Sequence, residues 1–146
     1  MVLVAAMACT STVSDDTSAL SNELEGFTRA RITVGSEELV VLVADTPSER
    51  RRGLKSVGEL PEGITGMLFV FPSAAQVGFH MKDTLIPLDI WWFDNEGLLL
   101  GSTAMEPCSG DPCLSYRSPA AVRWALETPQ RRYRFQGGAR LSVYSD

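Results

Sequence analysis

This chain of 146 residues has little of the material from which metal and cofactor sites are built. It contains one histidine, His80, and three cysteines, and a structural zinc site needs more ligands than these can supply at suitable spacing. No glycine-containing segment follows the patterns that bind phosphates or dinucleotides. We therefore predict no metal and no cofactor. The chain also lacks a Gly-X-Ser-X-Gly motif, and we assign no catalytic residue.

Positive charge is scarce as well. A net charge of −5 and a pI near 4.9 count against nucleic acid and anionic lipid headgroups as partners. The basic clusters at residues 50–52 and 131–132 are too short to reverse that balance, and we interpret them as solvated faces of short helices. A mean hydropathy of +0.02 excludes a membrane-embedded body.

The first residues are typical of a targeting segment. Residues 1–8 form an uninterrupted apolar run, and Cys9 and a polar stretch rich in Ser, Thr and Asp follow it. We interpret residues 1–8 as a truncated lipoprotein signal, Cys9 as a lipidated cysteine and residues 9–28 as a flexible polar tether. The run is short and no basic residue precedes it, so a chance apolar start on a soluble protein is the alternative. Residues 29–146 then form a single β-rich domain.

The other two cysteines support an exported protein. Cys108 and Cys113 lie in a short loop rich in Pro and Gly that could bring their sulfurs within bridging distance. A disulfide implies an oxidising compartment, and Cys9 is then left over for a lipid. We expect an extracytoplasmic, membrane-anchored lipoprotein, with a secreted protein as the alternative. Two free thiols in a cytosolic loop are the remaining interpretation.

Many short apolar segments predict a mainly β domain, a sandwich or barrel with two short helices. Strands are predicted at residues 31–34, 38–43, 66–71, 98–100, 122–127 and 140–144, and the 79–94 segment should supply further strands. Thr46 and Glu49 form a capping box for a helix that ends near Gly53, and Thr128-Pro129 should begin a second helix that ends near residues 136–138. Proline cannot donate to a central ladder, so Pro87 should bend the 79–94 segment.

The 79–94 segment also supplies most of the candidate site residues. Lys82, Asp83 and Asp89 interrupt an otherwise apolar stretch, where a charge must be paired, bonded to backbone or facing a pocket. With Glu127, these carboxylates permit an acid/base interpretation, although bracing of the fold is the alternative. The ligand-binding candidates are His80, Lys82, Asp83, Thr84, Asp89 and Glu127. Trp91 and Trp92 must point to opposite faces of their strand, and we expect both to be core.

Taken together, these motifs resemble the family catalogued as domain of unknown function 192. The resemblance rests on the string at residues 81–89, together with residues 52–54, 66–71 and 125–127, and it covers roughly residues 30–145. It implies a jelly-roll-like sandwich, often exported, with no established activity. The family usually has Trp where His80 stands and Asn where Asp83 stands. His80 and Asp83 could form an ion pair here, or the smaller ring could leave a pocket wall more open.

Three functions are consistent with this sequence. The first is an envelope-anchored binding module for a small molecule or an envelope glycan, with a polar cleft around Lys82 and Asp89. The second is a structural or protein-interaction domain in which Lys82 and Asp89 are buried and brace the fold. The third, which we rank below both, is a hydrolase that uses two converging carboxylates. We expect a monomer that contacts a membrane only through Cys9.

Overall fold

The computed structural model describes residues 22–144. These residues contain nine strands and one complete helix, joined by loops. The strands are β1 (Thr28–Val34), β2 (Glu37–Ala44), β3 (Met67–Ala75), β4 (Gly78–Phe79), β5 (Leu88–Phe93), β6 (Leu99–Met105), β7 (Tyr116–Arg117), β8 (Val122–Pro129) and β9 (Leu141–Tyr144), and the helix is α1 (Pro47–Arg52). The prediction of a mainly β domain is confirmed.

Seven of the strands form one mixed sheet in the order β6-β5-β8-β3-β2-β1-β9, and β4 pairs with β7 in a separate ribbon. The β2–β3 pair is parallel and the other pairs are antiparallel. Leu98 beside β6 forms a bridge to Arg140 beside β9, so the two ends of the sheet meet and the sheet is curled. Gly97 permits this approach, because a Cβ there would lie 2.7 Å from the Leu141 carbonyl oxygen.

Each face of the sheet carries a hydrophobic core. Along β5, Ile90 and Trp92 enter the first core, whereas Trp91 and Phe93 enter the second. Trp91 is 7% exposed and Trp92 is 1% exposed, so the expectation that both are core is confirmed. The first core also contains Leu54 and other residues of the loops that cover the sheet, and these loops build the wall of a cleft.

The first predicted helix is confirmed and the second is wrong. Thr46 accepts a hydrogen bond from the Glu49 amide and the Glu49 carboxylate accepts one from the Thr46 amide, so the capping box starts α1 as predicted. Residues 128–129 instead continue β8, where Thr128 is buried and accepts a hydrogen bond from the Trp91 indole at 3.1 Å. Strand pairing and this bond outweigh the local capping signal, and a turn follows at residues 130–132.

The 79–94 segment supplies two strands, and Pro87 lies in the loop between them. β4 ends at Phe79 and β5 begins at Leu88, with an irregular loop at residues 80–87 between them. Asp83 in this loop has φ of 58°, a left-handed conformation that aspartate and asparagine adopt more readily than most residues. β3 also continues beyond Pro72 to Ala75, with a register shift after Val70.

The residues before β1 pack against the domain. Leu24 is buried in the first core, and Phe27 lies under the guanidinium of Arg52, 4.1 Å from the ring centroid. The predicted signal segment, Cys9 and most of the predicted tether lie outside the described residues. Within residues 22–144, no helix has the length and apolar character needed to cross a membrane.

Candidate functional site

A cleft of about 580 Å³ opens between α1, the end of β3 and the β4 ribbon. Its lining combines cations, aromatic rings and a few polar groups. The cations are Arg50, Arg51, Arg52 and Lys55, the rings are Phe69, Phe71 and Phe79, and the polar side chains are His80, Thr84 and Glu127. Glu127 is the one carboxylic acid among these lining residues.

Glu127 lies at the floor of the cleft because of its position in the sheet. β8 is flanked by β3 and β5, and the cross-strand neighbours of Glu127 are the apolar residues Met67 and Ile90. Its side chain shares a face with Ala125, on the side of the first core. Only 5% of Glu127 is exposed, and this desolvation raises the pKa of its carboxyl group from 4.5 to about 8. The group is therefore mainly protonated at neutral pH.

Thr84 is the second buried polar side chain of the cleft, with 7% exposed. Its backbone is held on both sides: the Thr84 amide donates to the Met81 carbonyl, and Thr84 forms a bridge with Lys55. The adjacent Asp83 carbonyl accepts from the Ser56 amide at 2.8 Å. This arrangement fixes the 80–84 loop against the segment that follows α1.

The side chains of Glu127 and Thr84 share one property. Neither side chain makes a hydrogen bond to another of the described residues. Among residues 22–144, the one polar side-chain atom that is both fully enclosed and without a partner is the Arg123 Nε, so the Glu127 and Thr84 oxygens are not fully enclosed. The oxygens of Glu127 and Thr84 thus keep some access to the cleft. Their unused capacity faces a space that a ligand can enter.

Two of the four cations of the cleft are held by backbone carbonyls, and none of the four has a carboxylate partner among residues 22–144. Arg50 donates from Nη1 to the Val70 carbonyl at 2.8 Å and lies over the Phe71 ring, and Arg52 donates to the Glu25 carbonyl at 2.7 Å. Arg51 is exposed and Lys55 is half-buried. The ion pairs of the described residues, Arg31–Glu38 and Lys82–Asp111, involve none of the four. Their positive charge is therefore not neutralised by a neighbouring carboxylate of residues 22–144.

The rings of the apolar wall of the cleft pack edge to face. Phe79 lies 4.9 Å from Phe69, 6.4 Å from Phe71 and 5.6 Å from Trp92 between ring centroids. Such pairs contribute about 0.5–1.5 kcal/mol beyond their buried area. Gly53 ends α1 with φ of 49°, and its Cα lies so close to Phe69 that a Cβ would contact the ring at 3.5 Å.

The structure brings three of the six predicted ligand-binding residues together. His80, Thr84 and Glu127 line the cleft, whereas Lys82, Asp83 and Asp89 do not. His80 is exposed, and no ion pair joins it to Asp83 among the described residues. This geometry favours the more open pocket wall over the ion pair.

The other charged candidates have different partners. The Lys82 ammonium lies 2.7 Å from the Asp111 carboxylate, with 41% of the Lys82 side chain and 69% of the Asp111 side chain exposed. This contact raises the pKa of Lys82, first through the hydrogen bond to Asp111. The Asp89 carboxylate accepts a hydrogen bond from the Arg131 amide at 2.9 Å. Lys82 and Asp89 are thus neither buried together nor paired with each other.

The arginines and phenylalanines that line the cleft are not predicted from the sequence as site residues. Residues 50–52 are predicted to lie on the solvated face of a helix, although Arg50 is half-buried against Phe71. One signal is available, since these cations stand directly before the glycine that ends a capped helix. Which residues that helix end would face depends on long-range packing.

The cysteine loop is joined by backbone hydrogen bonds to the 80–84 loop. As predicted, Cys108 and Cys113 form a disulfide, and its S–S distance is 2.09 Å. The Cys108 amide donates to the Met81 carbonyl and the Cys108 carbonyl accepts from the Asp83 amide, so the loop is bonded to the segment that carries Thr84. The disulfide indicates folding in an oxidising environment, as is found outside the cytoplasm.

The fold and the site thus define a class of protein: a curled, mainly β domain with a cationic and aromatic cleft beside its sheet. The chain belongs to the domain of unknown function 192 family (DUF192), described as an uncharacterized ACR, whose family model matches residues 30–142. No curated protein is significantly similar in sequence.

Solved structures share the fold. A candidate transcription regulator from Sinorhizobium meliloti 1021 is 25% identical, with a TM-score of 0.71 over 80% of this chain and 95% of that one. A protein of unknown function from Novosphingobium aromaticivorans DSM 12444 is 21% identical, with a TM-score of 0.67 over 80% of this chain and 84% of that one. The second likeness concerns the fold alone.

Proposed function

We propose that this protein binds a small molecule, of which a short glycan is one class, in the cleft above Glu127. The observation that carries the proposal is the pair of buried polar side chains, Glu127 and Thr84, whose oxygens have no hydrogen-bond partner among residues 22–144 and face the cleft. A concave site with an apolar wall and a few converging polar groups is the usual form of a small-molecule site.

The proposal moves the centre of the site away from Lys82 and Asp89. The side chains of both residues are occupied by Asp111 and by the Arg131 amide, respectively. The same contacts weaken the bracing hypothesis, which required the two residues to be buried together. A hydrolase that uses two carboxylates is also disfavoured, because Glu127 is the one carboxylic acid in the cleft lining.

A role in binding DNA has less physical support than a small-molecule role. The Sinorhizobium protein is described as a candidate regulator, but a net charge of −5 on this chain opposes contact with a phosphate backbone. The disulfide and the sequence around Cys9 support an extracytoplasmic protein anchored through a lipid on that residue. Cys9 itself lies outside the described residues.

The test is a thermal-shift screen of the full chain against envelope glycans, peptidoglycan fragments and small metabolites, with calorimetric titration of each hit. A ligand of the folded state should raise the melting temperature saturably, by an amount that follows its concentration relative to Kd. Thr84→Val keeps the shape of the side chain and removes its hydroxyl, so it should weaken binding about tenfold.

Asp89→Asn is the matched control, because Asp89 is a polar residue of the same segment that does not line the cleft. Ligand affinity should be unchanged in this variant. Hits that lose affinity in Asp89→Asn and keep it in Thr84→Val would return the site to Lys82 and Asp89. A screen without any saturable shift would contradict the binding function.

A further inference from the structure

The charge distribution of the cleft is opposite to that of the chain. The chain carries a net charge of −5, yet four of its thirteen Lys and Arg residues surround one opening. Glu127, the one acid in the lining, is protonated at neutral pH because burial raises its pKa to about 8. The lining thus contains four cations and one carboxylic acid that is mainly protonated at neutral pH. Low-dielectric walls concentrate such a field within a cleft.

The two ends of the cleft differ in chemistry. Arg51 and Arg52 are exposed, and Arg50 and Lys55 are half-buried, so the cations stand toward the opening. The floor holds Thr84 and the protonated carboxyl of Glu127, which are neutral groups that both donate and accept hydrogen bonds. The phenylalanine rings lie along the wall. A ligand that matches this lining has a charged end, an apolar middle and a neutral polar end.

We propose that the cleft binds a small organic anion, a carboxylate or a phosphate monoester, that carries a hydroxyl or similar neutral hydrogen-bonding group at its opposite end. The inference rests on the proposed binding function and specifies the class of ligand. The anionic end lies among the cations at the opening, where Arg51 and Lys55 have no carboxylate partner among residues 22–144. The neutral end reaches Thr84 and Glu127.

Helix stabilisation alone does not account for the cations. Basic residues in the last turn of a helix interact favourably with its dipole, and residues 50–52 occupy the last turn of α1. Lys55, however, lies beyond the end of α1 and still lines the cleft. The positive charge of the lining does not depend on the protonation of Glu127, because four cations line the cleft beside this one carboxylic acid.

The experiment uses sets of matched compounds and protein-observed NMR of the full chain. Each set shares one skeleton with a hydroxyl at one end and differs at the other, as in 4-hydroxyphenylacetate, 4-hydroxyphenylacetamide and tyramine. Aryl phosphate monoesters form a separate arm that distinguishes phosphate from carboxylate ligands. The amide signals of Gly53, Gly78 and Thr84 report occupation of the cleft.

We expect the anions to bind at least tenfold more tightly than the amides, the amines not to bind, and the affinity of the anions to fall as salt is added. The double variant Arg51→Gln/Lys55→Gln should weaken anion binding about tenfold. Arg134→Gln is the control, because Arg134 is exposed and does not line the cleft. It should leave anion affinity within about twofold of the unmodified chain.

The outcomes separate this inference from the proposed function. Amides that bind as tightly as the acids, or anion affinity that survives the double variant, would overturn the anion inference and leave a small-molecule site. Equal losses in Arg134→Gln and in the double variant would show non-specific attraction and overturn it as well. A complete lack of binding by these acids and phosphates would overturn the anion inference, whereas the proposed binding function stands or falls with the thermal-shift screen described above.

Discussion

Glu127 should make the stability of this protein fall as the pH rises. In the folded state its carboxyl group keeps a proton up to a pKa of about 8, whereas the same group has a pKa of 4.5 when it is exposed to solvent, as in the unfolded chain. Between these two values the folded state binds more protons than the unfolded state. By linkage, the contribution of Glu127 to the free energy of unfolding is fully present below about pH 4.5. It declines between about pH 4.5 and pH 8 and stops declining above about pH 8.

The magnitude follows from the width of the window. Each pH unit between the two pKa values removes at most about 1.4 kcal/mol, so the step from pH 5 to pH 7 should cost about 2–3 kcal/mol. That is a large part of the roughly 5–15 kcal/mol by which domains are stable. Glu127→Gln carries a neutral amide in the same place and should lose this slope.

The assay is urea unfolding of the full chain at pH values from 5 to 8, in a His80→Gln background so that the one histidine contributes no pH dependence. Glu37→Gln is the matched control, because Glu37 is exposed at the start of β2, and it should keep the slope of the parent. Parallel curves for Glu127→Gln and the parent would refute the claim that Glu127 is protonated in the folded state.

Three further changes probe other parts of the domain. Lys82→Met should lower the melting temperature only slightly, because it breaks an exposed ion pair. Gly66→Ala should lower the free energy of unfolding by about 3 kcal/mol, since a Cβ would lie 2.2 Å from the Glu127 carbonyl oxygen, whereas Gly58→Ala meets no atom within 4 Å and is the control. Replacing Cys108 and Cys113 by serine should cost about 2 kcal/mol in urea unfolding, because the disulfide closes a short loop.

Each of these changes has a contradicting result. A large loss of stability in Lys82→Met would restore the bracing hypothesis. Equal stabilities of Gly66→Ala and Gly58→Ala would show that the backbone can move away from β8. Serine variants as stable as the parent under oxidising conditions would mean that the cysteine loop is held by its backbone hydrogen bonds alone.

Local signals in the sequence predict the elements that depend on neighbouring residues. The strands at 31–34 and 38–43, the capping box at Thr46 and the strand at 122–127 each depend on residues a few positions apart, and each is present. The Thr128-Pro129 signal is equally local, but β8 continues through it because its two neighbouring strands and the Trp91 indole hold it in the sheet.

The site is less predictable because its parts come from distant places in the chain. Alternation along 122–127 indicates that Glu127 shares a face with Ala125, but not that Met67 and Ile90 flank it. That depends on register between strands far apart in sequence. The end of α1 likewise meets Phe79 and His80 only after the sheet has formed. Composition cannot show that the charges at 82 and 89 have other partners.

The alternation of β5 between the two cores makes the domain a single cooperative unit. A strand with one face in water can fray or shift without disturbing the other side of the sheet, but β5 has Trp91 in one core and Trp92 in the other. A shift by one residue would exchange them and disrupt both cores at once. The amides of β5 should therefore exchange with solvent only when the whole domain opens, and neither core can unfold while the other persists.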